Sequence, residues 1–262
     1  MEAGLTGGTD GAGALLAPLR AAPGRSGVIC DFDGTLAPIV DDPAVARPRP
    51  GAVELLHRLA DRYATVAVVS GRPVAFLAQH LGLAAGGRLK AVGLYGLEPW
   101  GGEAPGDVGT RWRPVVAEVA AAAEAAAPPG VLVERKGLTV TVHYRTAPEA
   151  EAWAGRFAAE QAARTGLVVH PARRSEELRP PVAVDKGTAV AGLVAGLGAA
   201  CFLGDDQGDL PAFEALDALA ATGASVVKVA VASGEAPRAL LAAADVVVDG
   251  PEGVVELLAS LV

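Results

Sequence analysis

The sequence predicts an α/β protein, in which a doubly wound parallel sheet carries a smaller α+β unit inserted between its two halves. Two observations support this prediction. Near both ends of the chain, short apolar runs alternate with segments of helical periodicity, which is typical of a parallel sheet covered by helices. In the middle the alternation stops, and two β-rich runs separated by one glycine indicate a hairpin.

The first half of the core follows residues 1–24, which are predicted to form a tail with a short helix. Strands and helices then alternate. They are predicted as the strand SGVIC, a helix over 51–63, the strand ATVAVVS ending at Ser70, a helix opening at Pro73 and the strand LKAVGL ending at Leu94. This rhythm assigns residues 25–103 to the core.

The inserted unit is predicted over residues 104–182, and its start lies within the Gly- and Pro-rich linker GGEAPGDVG, which begins at Gly101. Its elements differ in order from those of the core. They are predicted as a helix over 112–127, the hairpin strands VLVERKG and LTVTVHYR, a helix over 148–165 and the strands LVVHPA and SEELRP. Helices beside paired strands indicate an α+β unit.

The second half of the core is predicted over residues 183–262, where the α/β alternation returns. Its elements are predicted as a helix over 186–197, the strand ACFLGDD, a helix over 209–220, the strands VVKVAVA and DVVVDG and a helix over 252–261. The core is therefore expected to be discontinuous in sequence, with the inserted unit acting as a cap.

Composition excludes several classes of protein. Of the 262 residues, 51% are hydrophobic, which is enough for sizeable cores, and the net charge of −8 argues against binding to nucleic acid or to anionic membranes. No window resembles a membrane span or a secretory signal, which predicts a cytoplasmic protein. Cys30 and Cys201 lie in apolar runs without zinc spacing and are expected to be core residues.

Acidic side chains are concentrated at two of the predicted strand ends. Asp31 and Asp33 follow the first strand, whereas Asp205, Asp206 and Asp209 follow the strand ACFLG. Ligands of open α/β sheets bind at the carboxyl ends of the strands, so these five carboxylates are expected to converge there. Either pattern alone also occurs in exposed loops. Together they need a cation, and Mg²⁺ is the hard ion that oxygen ligands suit best.

A hydroxyl and an ammonium group accompany the acids. Ser70 ends the second strand, and Lys186 opens a helix. Beside a metal ion, these groups suit a phosphoryl group. On an extended segment Asp31 and Asp33 point to the same side while Phe32 packs away from it.

These residues resemble the four motifs of the haloacid dehalogenase (HAD) superfamily of phosphotransferases. DFDGTLAPI is similar to the first motif, Ser70 to the second, Lys186 to the third and GDDQGD to the fourth. The strings DFDGTLAPIVDDP, SGRP, GLYGLE, VERKGLTVTVHYR and ELRPPVAVDKG further resemble the trehalose 6-phosphate phosphatase family. One departure is Tyr95 in GLYGLE, where many members have histidine.

The resemblance implies an enzyme that hydrolyses trehalose 6-phosphate to trehalose and phosphate through an aspartyl-phosphate intermediate. In that mechanism Asp31 is the nucleophile, and Asp33 protonates the leaving sugar oxygen and then activates water. Ser70 and Lys186 hold the phosphoryl oxygens.

The resemblance also implies the metal ligands. Mg²⁺ is expected to bind the Asp31 carboxylate, the Asp33 backbone carbonyl and Asp205. Asp206 and Asp209 are assigned either as further ligands or as acceptors beside the metal.

The cap is expected to supply the sugar site. By the same resemblance, Glu134, Lys136 and Glu177 bind the sugar that lacks the phosphate, although Glu134 and Lys136 on one strand face also fit an ordinary exposed ion pair. Arg72 is assigned to the substrate site as well. Its alternatives, orienting the loop around Ser70 or forming a structural salt bridge, remain open.

Two rival functions differ from this reading. A phosphatase for glucosylglycerol, mannosylglycerate or sucrose phosphates would keep the core and change the cap. A non-catalytic sugar-phosphate sensor would be expected to lose Asp31 or Asp33, and both are present. The predicted partner is a small sugar phosphate, and the sequence indicates no oligomeric state.

Overall fold

The structure is a computed structural model that describes residues 9–102, 106–172, 174–234 and 236–262. The chain divides into two compact units. The first contains the chain up to Gly101 together with Val184–Val262, and the second is Gly102–Ala183. Each unit has its own sheet.

The described residues contain the following elements. The strands are β1 (Ser26–Cys30), β2 (Thr65–Val69), β3 (Leu89–Gly93), β4 (Glu98–Pro99), β5 (Leu132–Arg135), β6 (Val140–His143), β7 (Val168–Ala172), β8 (Ser175–Arg179), β9 (Ala199–Gly204), β10 (Ser225–Ala232) and β11 (Val246–Asp249). The helices are α1 (Thr9–Leu15), α2 (Ala17–Ala21), α3 (Ala52–Ala60), α4 (Val74–Leu81), α5 (Val108–Ala126), α6 (Glu151–Thr165), α7 (Lys186–Val194), α8 (Leu210–Ala220), α9 (Arg238–Ala243) and α10 (Gly250–Leu261).

The first unit is built on a seven-stranded sheet in the order β11-β10-β9-β1-β2-β3-β4. Neighbouring strands are parallel except β3 and β4, which pair antiparallel. Every residue of β1, β2 and β9 is buried, because helices cover both faces of the sheet. Continuous apolar runs in the sequence are the signature of such strands, and the predicted doubly wound α/β fold is confirmed.

Two apolar cores lie on the two faces of this sheet. One contains Leu56 of α3 and Leu258 of α10, and the other contains Val190 of α7 and Phe213 of α8. Cys30 and Cys201 are both buried and unbridged, as predicted. The central strands are therefore held rigidly from both sides, which fixes the positions of the residues that follow them.

The described part of the segment before β1 contains two short helices, where one short helix was predicted. It forms α1 and α2, and Leu16 and Leu19 are at most 1% exposed within the first core. The tail prediction for residues 1–8 lies outside the described residues. Two leucines three positions apart share one face of a helix, and their burial attaches this segment to the sheet.

The second unit has an antiparallel sheet in the order β5-β6-β8-β7, so the hairpin and the α+β prediction are confirmed. One face buries Val140, Val142 and Leu178 beside α5 and α6. Strand register places a polar row on the other face. This row consists of Glu134, Thr141, Glu177 and His170.

Several element boundaries differ from the predictions. Helix α5 begins at Val108 rather than 112, and Pro114 lies inside it. The short elements β4 and α9 were not predicted. In the part of the chain that the structure describes, none of the helices has the length and apolar character that crossing a bilayer requires.

Candidate active site

Asp31 is fixed directly after β1 at the carboxyl edge of the large sheet. Its backbone N–H donates to the Leu203 carbonyl on β9 at 2.8 Å, and its side chain is buried. Lys186 Nζ lies 2.9 Å from Asp31 Oδ1. Lys186 is the first residue of α7, whose N-terminus is capped because Asp185 Oδ1 accepts from the Thr188 N–H at 2.8 Å. The N-cap of α7 and the end of β1 together place the Lys186 ammonium group beside the Asp31 carboxylate.

Asp209 holds Lys186 from the other side. Its Oδ1 accepts from Lys186 Nζ at 2.6 Å, and its Oδ2 accepts from the backbone N–H groups of Asp205 and Asp206 at 2.9 and 3.0 Å. Asp209 is fully buried. It therefore orients both the lysine and the loop that follows β9.

The carboxylates of Asp31, Asp205 and Asp209 form a buried acidic cluster. One oxygen from each lies within 4.8 Å of the others. Gly34 packs against this cluster with φ of +77°, and a Cβ there would lie 2.0 Å from Asp205 Oδ2, so a side chain is excluded. Lys186 brings one positive charge to three buried carboxylates. Such a set of hard oxygen donors fits a divalent ion such as Mg²⁺.

The electrostatics of the cluster are governed by burial. Burial raises the pKa of Asp31 well above its usual range; Lys186 opposes this effect, whereas Asp209 and Asp205 add to it. Burial also raises the pKa of Asp209. Burial alone would lower the pKa of Lys186, but the carboxylates of Asp209 and Asp31 outweigh it and raise that pKa well above its usual value. The lysine is therefore held in its charged form.

The two remaining predicted acids have other partners. Asp33 accepts a bidentate pair of hydrogen bonds from Arg72, with Arg72 Nε at 2.7 Å and Nη2 at 2.6 Å. Asp206 Oδ1 accepts from the Gly208 N–H at 2.8 Å and caps the turn at 207–209. The structure thus brings three of the five expected carboxylates into one cluster.

Ser70 lies at the end of β2 and is 1% exposed. Its Oγ accepts from the Arg72 N–H at 3.2 Å, and its carbonyl accepts from the Tyr95 N–H at 2.9 Å. Leu94 and Tyr95 both have positive φ, 48° and 60°, which is unusual for two consecutive non-glycine residues. The Tyr95 ring packs on Gly71, where a Cβ would lie 2.4 Å from Tyr95 Cζ. Neither the positive φ of Leu94 and Tyr95 nor the contact with Gly71 was predictable from the sequence.

A second charged cluster lies in the inserted unit around Glu177, which is 1% exposed. Glu177 Oε1 accepts from Thr139 Oγ1 at 2.7 Å and lies 3.4 Å from Lys136 Nζ, while Arg179 donates twice to Oε2 at 3.0 and 2.7 Å. Lys136 also lies 3.6 Å from Glu134 Oε2. The structure therefore brings the three predicted sugar-binding residues into one network.

His143 extends this network. Its Nε2 lies 2.8 Å from Glu134 Oε2. This contact was not predicted from the sequence. His143 lies two residues from Thr141 on β6, and Thr141 pairs in register with Glu134 and Glu177. An alternating polar pattern along β6 was the available signal. The catalytic, metal-binding and substrate-binding roles assigned from the sequence, including that of Arg72, stay predictions.

Comparison with known proteins connects this chain to one family. The sequence profile of trehalose-phosphatase matches residues 29–246. A trehalose-phosphate phosphatase of Mycolicibacterium paratuberculosis is 38% identical over 225 residues, which cover 81% of this chain and 54% of that protein. The chain thus spans about half the length of the curated relatives that it matches.

Solved structures agree with the fold. The C-terminal domain of a Candida albicans trehalose-6-phosphate phosphatase is 24% identical with a TM-score of 0.75, covering 95% of this chain and 96% of that one. A haloacid dehalogenase-like hydrolase from Bacteroides thetaiotaomicron is 17% identical with a TM-score of 0.61, covering 90% and 99%. These likenesses confirm the predicted HAD-like fold. Because the profile covers most of its residues, the chain belongs to the trehalose-phosphatase family.

Proposed function

We propose that this chain is a Mg²⁺-dependent phosphatase that hydrolyses trehalose 6-phosphate to trehalose and phosphate. The observation that carries the proposal is the buried cluster of Asp31, Lys186, Asp205 and Asp209 at the carboxyl edge of the sheet, in a chain of the trehalose-phosphatase family. The cytoplasmic location expected from the sequence stays a prediction.

The proposed reaction has two balanced steps. In the first, a carboxylate oxygen of Asp31 attacks phosphorus while the bond from phosphorus to the sugar oxygen breaks, and Asp33 gives that oxygen a proton. In the second, water attacks phosphorus, Asp33 takes a proton from the water, and the bond between Asp31 and phosphorus breaks. Phosphate leaves, and both aspartates regain their starting forms.

The residues around Asp31 fit this chemistry. Lys186 Nζ lies 2.9 Å from Asp31 Oδ1, so its positive charge is positioned to bind the oxygens of a phosphoryl group on Asp31. The Ser70 hydroxyl adds a hydrogen-bonding group. Mg²⁺, held by Asp31, the Asp33 carbonyl and Asp205, would supply neutralisation of phosphoryl charge. Asp209, with both carboxylate oxygens accepting hydrogen bonds, is suited to orienting Lys186 rather than to direct ligation.

The cap network fits recognition of sugar hydroxyls. Glu134 is about one-fifth exposed and Lys136 less, so they offer an acceptor and a donor on the polar face of the sheet. Glu177 is more deeply buried and holds Lys136 in place. We assign the sugar without the phosphate to this face.

Phosphate release from a panel of substrates tests the proposal. The panel contains trehalose 6-phosphate, sucrose, glucosylglycerol and mannosylglycerate phosphates and p-nitrophenyl phosphate, each with Mg²⁺ and with excess EDTA. We expect preference for trehalose 6-phosphate and loss of activity in EDTA. Full activity in EDTA would contradict the metal assignment, and preference for another sugar phosphate would contradict the substrate.

Cap variants then separate recognition from chemistry. Glu134→Ala and Lys136→Ala are each expected to lower kcat/KM for trehalose 6-phosphate by about ten- to a hundredfold, because each removes a charge-assisted hydrogen bond. Hydrolysis of p-nitrophenyl phosphate should barely change. Glu176→Ala, on the opposite face of the same sheet, is the matched control. Equal losses on both substrates would assign these residues to the fold instead.

A further inference from the structure

Arg72 is buried in the loop that follows β2, and its guanidinium group is held by contacts from several directions. Its Nε and Nη2 donate to the two carboxylate oxygens of Asp33 at 2.7 and 2.6 Å, and its Nη1 donates to the Pro43 carbonyl at 2.8 Å. Its Cζ lies 4.5 Å from the centre of the Phe76 ring. A planar guanidinium with so many fixed contacts has little freedom to rotate.

The same residue is tied to the motif of Ser70. The Arg72 backbone N–H donates to Ser70 Oγ at 3.2 Å, and the Arg72 carbonyl accepts from the Leu94 N–H at 3.0 Å. Backbone and side chain of Arg72 therefore connect the proposed phosphoryl-binding hydroxyl to the proposed acid. Because these contacts are internal to the first unit, the geometry is set by the core itself.

The bidentate pair of hydrogen bonds from Arg72 fixes the orientation of the Asp33 carboxylate and leaves that carboxylate accessible. The Asp33 side chain is 37% exposed, whereas that of Arg72 is 8% exposed. A carboxylate offers about four lone-pair directions, and the bidentate pair uses two of them. The directions left over are fixed in space and remain accessible from solvent, as proton transfer to a bound substrate requires.

We propose that Arg72 is a positioning residue that orients Asp33 for proton transfer, in place of the substrate-binding role predicted from the sequence. This inference rests on the proposed function, because it takes Asp33 as the acid and base. A bidentate arginine fits because two parallel hydrogen bonds fix the plane of a carboxylate, which a single ammonium does not. Arg72→Lys is therefore the informative variant.

The leaving group decides whether the first chemical step depends on the position of Asp33, whereas the second step depends on it for every substrate. A sugar oxygen needs a proton from Asp33 as its bond to phosphorus breaks, whereas p-nitrophenolate leaves as a stable anion. Attack of water on the aspartyl-phosphate needs Asp33 as a base for both substrates. A misplaced Asp33 should therefore slow release of the sugar and hydrolysis of the intermediate, but not release of p-nitrophenolate.

Rapid-mixing kinetics tests this difference. With p-nitrophenyl phosphate, Arg72→Lys is expected to release about one equivalent of p-nitrophenol at a rate within threefold of the parent, followed by turnover at least tenfold slower. Single turnover of trehalose 6-phosphate should slow at least tenfold. Arg47→Lys is the matched control, since Arg47 is an exposed arginine of the neighbouring loop that donates to backbone carbonyls, and we expect parent-like kinetics.

Three results would overturn the inference. A burst that slows as much as the sugar reaction, with a raised KM, would make Arg72 a phosphoryl-binding residue. Unchanged kinetics would leave it no role in positioning. Additive losses in Asp33→Asn/Arg72→Lys would mean that Arg72 acts independently of Asp33, whereas no loss beyond that of Asp33→Asn supports the proposal. Arg72→Gln is the second variant if Arg72→Lys lacks a cooperative thermal transition.

The Asp33→Asn single variant separates this inference from the proposed function. If Asp33→Asn slows p-nitrophenol release as much as sugar release, Asp33 is not the acid and the proposed mechanism fails with the inference. If Asp33→Asn is selective and Arg72→Lys is not, only the inference fails. If the parent does not hydrolyse trehalose 6-phosphate, the proposed substrate fails, and the p-nitrophenol burst still decides the role of Arg72.

Discussion

Glu177→Gln is expected to change the acid stability of the inserted unit. Burial raises the pKa of Glu177, but Lys136 and Arg179, with the hydrogen bond from Thr139, outweigh it and lower the pKa to about 2. A carboxyl whose pKa is lower in the folded than in the unfolded protein stabilises the fold above its unfolded pKa. That contribution is lost as the pH falls through the folded pKa.

The size of the effect follows from the two pKa values. A carboxyl with a pKa of 4.5 in the unfolded chain and about 2 in the folded protein contributes about 3 kcal/mol at neutral pH. About 2 kcal/mol of this is lost between pH 7 and pH 3. The Glu177→Gln variant has no carboxyl at this position, so its free energy of unfolding does not show this loss between pH 7 and pH 3. At pH 7 the variant is less stable by about 3–5 kcal/mol, because Lys136 and Arg179 remain buried without their carboxylate.

Tryptophan emission allows the inserted unit to be followed by itself. Trp112 and Trp153 lie within Gly102–Ala183, whereas Trp100 lies in the first unit, so a Trp100→Phe background reports the second unit. Urea unfolding between pH 7 and pH 3 then gives its free energy of unfolding. We expect the background protein to lose about 2 kcal/mol more than Glu177→Gln over this range.

Glu176→Gln is the control on the same strand. Burial and the nearby Glu151 raise the pKa of Glu176, so its ionised form disfavours the fold, and this contribution grows as the pH rises. Glu176→Gln should therefore keep or increase stability at pH 7. Parallel loss of stability in the background protein and Glu177→Gln between pH 7 and pH 3 would refute the reasoning.

Three further predictions concern the core. Asp31→Asn is expected to lower kcat by about a thousandfold or more. It should also raise the Tm in EDTA, because burial raises the pKa of Asp31 and its ionised form disfavours the fold; a lower Tm by calorimetry would contradict this. Lys186→Met should lower the free energy of unfolding by about 3–5 kcal/mol in urea titrations, because it leaves buried carboxylates without their partner. Lys228→Met breaks a pair with the largely exposed Asp217 and should lower it by less than about 1 kcal/mol; equal losses would argue against the buried pairing. Gly71→Ala should destabilise the protein by about 1–3 kcal/mol through its clash with the Tyr95 ring, and adding Tyr95→Ala should restore stability; an unchanged Tm in Gly71→Ala would count against that clash.

The central strands and their acidic ends were predictable because both depend on local sequence. Apolar runs mark β1, β2 and β9, and the residues directly after a buried strand lie at the sheet edge whatever the details of packing. That is why Asp31, Ser70 and Asp205 could be placed before the structure was known. The predicted alternation of Glu134 and Lys136 is local information of the same kind, although Lys136 lies one residue beyond the end of β5.

The contacts that depend on distant residues were not predictable. Asp33 and Arg72 are 39 positions apart, so their bidentate pair appears only when β1 and β2 lie side by side. The burial of Leu16 likewise depends on a surface that the sheet creates. The strand β4 has two residues and the helix α9 six, which is too short for a periodic pattern to be recognised.

The strand order of the large sheet has a consequence for synthesis. Strands β1 and β9 are neighbours, although β9 begins about 170 residues after β1 ends. At roughly 5–20 residues per second, a ribosome needs on the order of 10–30 s to supply β9. During that time the apolar edge of β1 has no partner on that side, while the inserted unit, whose strands pair with near neighbours in sequence, is already complete. Truncation or pausing after the inserted unit is therefore expected to yield an aggregating nascent chain that also lacks Asp205, because the loop of Asp205 follows β9.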